Sequence, residues 1–170
     1  MRPFLFSTLL LATLFFAPRI CGGDRREDGW PQFRGPGGSG VNRAGDFPVH
    51  FGPASNVLWK IVLPAGHSSP CIWRDRIFLT GADNGKLETL CLDRADGKML
   101  WRRAIAPENF DRGSQNSSPA ASTPATDGAR VYVYFGSFGL ICYDFAGQEQ
   151  WRTPLPIPIT QHGASTSPVV

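Results

Sequence analysis

One pattern occurs twice in this chain and constrains its fold more than anything else. Cys91-Leu92-Asp93-Arg94-Ala95-Asp96-Gly97-Lys98-Met99-Leu100-Trp101 reads as the end of a strand, an Asp-Gly turn and a second strand opening on tryptophan. Cys142-Tyr143-Asp144-Phe145-Ala146-Gly147-Gln148-Glu149-Gln150-Trp151 repeats the design with one residue fewer before the glycine. In both copies an aspartate lies two places after the cysteine and a tryptophan four places after the glycine. Glycine supplies the positive φ of a tight turn, and the aspartate carboxylate accepts turn N–H groups, so the pattern predicts a β-hairpin.

The repeat extends beyond the hairpin. Ser69-Pro70, Thr123-Pro124 and Ser167-Pro168 open equivalent units, while Trp59, Trp101 and Trp151 close them. Short β-branched and aromatic runs at 57–63, 69–73, 76–80, 87–93 and 99–105 read as strands. So do the runs at 122–126, 130–135, 138–144 and 150–155. Asp83-Asn84-Gly85 marks a turn spanning 81–86. Four strands per unit of about 45 residues is the signature of a β-propeller blade. The fold expectation is therefore all-β: a β-propeller with four-stranded antiparallel blades at about 67–105 and 120–155, within a repeat region 56–170. Segments 57–63 and 165–170 read as parts of further blades. Proline lacks an N–H, so the Ser/Thr-Pro strand should be innermost, where its edge is free. Blades bury their faces only against neighbours, so an incomplete ring reads as the N-terminal fragment of a longer protein and should self-associate.

The N-terminal region differs. Arg2 precedes a run of apolar and small residues from Phe4 to Ala17, which predicts a secretory signal peptide over 1–22. Cys21 offers lipidation as the alternative anchor. Removing Arg2 and Arg19 leaves 15 basic residues against 14 acids, a net charge of +1 instead of +3. That balance gives no electrostatic footprint for nucleic acid. Residues 23–55 read as an irregular arm. Trp30-Pro31-Gln32-Phe33-Arg34-Gly35-Pro36-Gly37-Gly38 is too rich in glycine and proline for a helix or long strand. Its aromatic side chains should nevertheless pin it to the rest of the protein. Arg34 suits a backbone or salt-bridge contact better than an anion. Cys71, Cys91 and Cys142 are an odd number of cysteines; Cys91 and Cys142 hold equivalent places on apolar runs and read as buried free thiols, with a disulfide as the alternative.

The segment 91–101 resembles the tryptophan-docking motif of quinoprotein propellers, Ala-x-Asp-x-x-Thr-Gly-x-x-x-Trp. Asp93, Gly97 and Trp101 match it, while Cys91 and Asp96 replace the alanine and threonine; Asp144, Gly147 and Trp151 match a shortened form. The arm resembles the N-terminal signature of exported PQQ-like repeat proteins. The resemblance implies a PQQ-like β-propeller similar to BamB-like outer-membrane assembly propellers, periplasmic or secreted. It implies two functional classes. One is a binding or assembly scaffold, with a protein partner or small ligand at the propeller face. The other is a fragment of a PQQ- and calcium-dependent quinoprotein dehydrogenase oxidising alcohols or sugars. The dehydrogenases carry adjacent cysteines and a carboxylate set at the central funnel. This chain has no adjacent cysteines, and no Asp or Glu at 66–73, 117–126 or 163–170. The scaffold is therefore expected, with no catalytic residue, metal ligand or cofactor evident in this segment and PQQ with calcium left to a longer parent. The funnel candidates are His67, Ser68, Ser69, His162 and Ser165, which surround the Ser-Pro starts of inner strands. Asp93 and Asp144 hold one place in different blades and read as structural. Asp83-Asn84-Gly85 lacks the remaining ligand spacing of a calcium loop.

Overall fold

The computed structural model describes residues 29–42, 47–110, 117–160 and 163–170, so the proposed signal segment lies outside the described residues. The described residues form antiparallel strands and short turns. One sheet contains β1 (Gly29–Trp30), β2 (Cys71–Trp73), β3 (Arg76–Asp83), β4 (Lys86–Asp93) and β5 (Met99–Ile105), in that order. The other contains β6 (Ala125–Thr126), β7 (Arg130–Phe135), β8 (Gly139–Asp144) and β9 (Glu149–Pro154), also in chain order. Strands β2–β5 and β6–β9 are two four-stranded blades, and β1 is an addition to the first.

Period-2 patterning makes these strands. Val131, Val133 and Phe135 are buried, and Tyr132 and Tyr134 alternate with them toward the other face. The buried set faces the first blade. Phe78, Leu87, Cys91, Trp101 and Ile105 of one blade and Val131, Val133, Phe135, Ile141 and Tyr143 of the other form one core. The principal core is thus the seam between blades, as expected where each sheet covers its neighbour. Ring contacts cross it: Phe78 lies 5.2 Å from Phe145, and Trp101 lies 5.8 Å from Tyr143, between ring centroids. Cys71, Cys91 and Cys142 are free and fully buried.

Several sequence expectations need correction. Segment 57–63 forms no strand and pairs with none among the described residues. Its residues still alternate: Trp59, Ile61 and Leu63 are half-buried, and Leu58 and Val62 are both 93% exposed. The segment has the pattern of a strand without a ladder to join. The 81–86 turn shrinks to Asn84-Gly85, both at positive φ (47° and 74°), so Gly81 and Ala82 belong to β3. Of 122–126, only the last two residues join the sheet. The edge of β2 is not free, because β1 pairs with it through Gly29↔Trp73 and Trp30↔Ile72. In the arm Trp30 is half-buried and packs against Gly35, but Phe33 remains 49% exposed.

Candidate functional site

The two hairpins with the repeated motif are built alike. Gly97 N–H donates to Asp93 O (2.9 Å), and Gly147 N–H to Asp144 O (3.0 Å). Asp93 Oδ1 accepts from Ala95 N–H at 2.7 Å, and Asp144 Oδ1 accepts from Ala146 N–H at 2.9 Å. The shorter turn also brings Gln148 N–H onto Asp144 Oδ1 at 2.8 Å. In the longer turn Asp96, where the motif has threonine, takes Lys98 N–H at 2.9 Å.

Each turn receives a tryptophan from the preceding unit. The indole N–H of Trp59 donates to Arg94 O (3.0 Å), and that of Trp101 donates to Phe145 O (2.9 Å). A Cβ at Gly97 would stand 2.5 Å from the Trp59 ring, and one at Gly147 would stand 2.7 Å from the Trp101 ring. Glycine is therefore required twice over: for positive φ (75° and 78°) and for close approach of the ring. Arg103 adds a clasp, donating from Nε to Gly147 O at 2.6 Å with its guanidinium 5.8 Å from the Trp101 ring centroid. Trp151 occupies the same place in the second blade but is 42% exposed. Trp59 and Trp101 thus each seat on the turn of the next unit, while Asp93 and Asp144 hold their own turns.

The other candidates lie where the inner strands begin. Ser69 N–H donates to Thr123 Oγ1 (3.0 Å), and Thr123 N–H donates to Ser167 Oγ (3.0 Å). The hydroxyls of Thr123 and Ser167 thus each accept the backbone proton of the equivalent residue one unit earlier, and Ser69 contributes only its N–H. This ladder was legible only as the recurrence of Ser/Thr-Pro; its direction and partners were missed. Ser68 Oγ accepts Thr80 N–H (3.0 Å) and donates to Thr80 O (3.3 Å). Thr80 Oγ1 reaches across to Ser122 O at 2.9 Å. The side chain of His67 is exposed, while its N–H donates to Ala120 O at 3.0 Å. His162 lies outside the described residues.

Ser165 faces the arm. Together with Ser167, Val169, Gln32, Phe33 and Arg34 it lines an open cavity of about 570 Å³. Arg34 is held by its own loop, with Nη2 donating to Ser39 O at 3.4 Å. Gly35, Gly37, Gly38 and Gly40 adopt positive φ and let that loop turn back on itself.

The described funnel candidates His67, Ser68, Ser69 and Ser165 offer an imidazole and hydroxyls, with no carboxylate among them. Among the described residues no group of three His, Cys, Asp or Glu side chains converges as metal ligands. The hydroxyls of Ser68, Thr80 and Thr123 are engaged in bonds within and between units, whereas Ser69 takes part through its backbone N–H. Nucleophilic cysteine chemistry is also disfavoured. Burial pushes the Cys71 thiol up to about 12 and the Cys91 thiol to about 11, the latter partly offset by Arg76.

A protein-family model described as outer membrane protein assembly factor BamB matches residues 53–169. The match spans both blades, segment 57–63 before them and the third Ser-Pro start. No curated protein matches the chain significantly.

Proposed function

The chain belongs to the family of the outer membrane protein assembly factor BamB, PQQ-like β-propeller repeat proteins, and from that premise we propose that it serves as an exported binding or assembly scaffold, with no catalysis in this segment. The observation that carries the reading is the hydroxyl ladder Ser69–Thr123–Ser167. Two of the three hydroxyls that precede the repeated prolines, those of Thr123 and Ser167, join neighbouring units. A scaffold of this kind offers rigid blades and leaves recognition to loops and edges around them. The exposed His67 beside the inner-strand starts is one such position.

Two measurements test the proposal. Protein mixed with calcium and pyrroloquinoline quinone should show neither saturable quinone binding nor dye reduction with alcohols or sugars. A photocrosslinker replacing His67 in the producing cell should give a discrete adduct to a protein of the cell envelope. Calcium-dependent dye reduction, or no adduct at that position, would count against the scaffold.

A further inference from the structure

The arm takes a position that the repeats alone would leave open. Gly29 and Trp30 add a short antiparallel strand to the inner edge of β2. The next residue contacts both blades: Pro31 O accepts Thr126 N–H from β6 at 2.8 Å and the Cys71 thiol from β2 at 3.2 Å. Gln32, only 5% exposed, then accepts Val170 N–H on Oε1 at 3.4 Å. Three consecutive arm residues thereby reach the inner-strand segments of three consecutive units. Gly29 has φ 152°, and a Cβ there would stand 2.1 Å from Ile72 O, so the close approach depends on this glycine.

The attachment is slight compared with what lies beneath it. The arm pairs over two residues, whereas β3 and β4 pair over eight. Trp30 is only half-buried. Segments with few ladder bonds and little buried apolar surface open at lower free energy than the core. Once β1 lifts, β2 presents an unpaired edge, and Thr126 N–H and the Cys71 thiol lose Pro31 O as their acceptor. An extended peptide can satisfy such an edge by strand addition.

We propose that the inner edge of β2, together with Thr126 of β6, is a strand-accepting peptide site whose resident occupant is the protein's own arm. The ligand class is an extended segment with a small residue, an aromatic residue and a proline in sequence, as in Gly29-Trp30-Pro31. As a partner class for the scaffold, the site rests on that reading. The test below reads the edge itself, so it can fail without altering the outcome of the quinone and crosslinking measurements.

Cys71 is the reporter, because its sulfur lies directly under Pro31 O, and Cys91 and Cys142 are internal controls buried within the blades. The full chain and its Gly29→Val and Trp30→Ala variants are pulse-alkylated under native conditions, and each cysteine is read by peptide mass spectrometry. In both variants Cys71 should label at least ~10-fold faster than in the parent, while Cys91 and Cys142 stay within about 2-fold. A synthetic peptide of residues 27–40, added in excess to the Gly29→Val protein, should restore protection of Cys71; the same peptide carrying Gly29→Val should not. Unchanged Cys71 labelling would overturn the proposal. So would parallel acceleration of all three cysteines, which would make the arm part of the global fold, or failure of the parent peptide to protect.

Discussion

Trp59, Trp101 and Trp151 hold one place in the repeat, yet their surroundings differ. Trp101 is 7% exposed, hydrogen-bonded and clasped between Arg103 and the Gly147 turn. Trp151 is 42% exposed, with Tyr132 as its ring neighbour at 6.2 Å. Removing a buried aromatic residue costs about 3–5 kcal/mol, and a half-exposed one far less. In urea unfolding, Trp101→Ala should therefore lose about 3–5 kcal/mol and Trp151→Ala less than about 1.5 kcal/mol. Equal losses would mean that the contacts of Trp101 add nothing. The motif residues Asp93, Gly97 and Trp101 were legible in the sequence because turn chemistry is local. The partners of Ser69 and Thr123 were not, since they lie 54 and 44 residues away. Nothing within a window around a serine says which carbonyl, amide or ligand it will meet.

Strand identity followed the same division between local and distant causes. Strands β5 and β7 run over the residues expected, because each is a period-2 run bounded by turn residues. Segment 57–63 has the same period but no ladder, which shows that pattern specifies a face while pairing requires a neighbour. Pinning of the arm by its aromatics could be read from Trp30, but its pairing with β2, across a separation of 42 residues, could not. At the hairpins, Gly85 and Gly97 both sit at positive φ, 74° and 75°. A Cβ at Gly85 meets nothing within 4 Å, while one at Gly97 meets the Trp59 ring at 2.5 Å. Gly85→Ala should cost only the backbone strain, about 1–2 kcal/mol, and Gly97→Ala about 1–3 kcal/mol more. Thermal and urea unfolding of the two variants give the comparison directly. If Gly97→Ala is no worse than Gly85→Ala, the docking of Trp59 on that turn is wrong.

At the scale of the molecule, the seam between blades carries most of the core, and three devices cross it. Aromatic and aliphatic side chains interdigitate, a tryptophan from one unit rests on a glycine turn of the next, and hydroxyls link the inner strands. The all-β blade architecture was legible because the spacing of Ser/Thr-Pro, Asp, Gly and Trp repeats. The occupation of the inner edge by the arm was not, because the arm lies outside the repeat and its partners are set by three-dimensional proximity. Mechanically, the arrangement makes neighbouring blades one cooperative body and leaves exchangeable contacts to the arm and the outer edges. The claim that blades are locked by a tryptophan seated on a glycine is tested most directly by a double-mutant cycle between Trp101 and Gly147, read by urea unfolding. In the parent, Gly147→Ala should cost about 3 kcal/mol; in the Trp101→Ala background, with the ring removed, only the backbone strain of about 1–2 kcal/mol should remain, a coupling of at least ~1 kcal/mol. Strict additivity of the two substitutions would contradict the account.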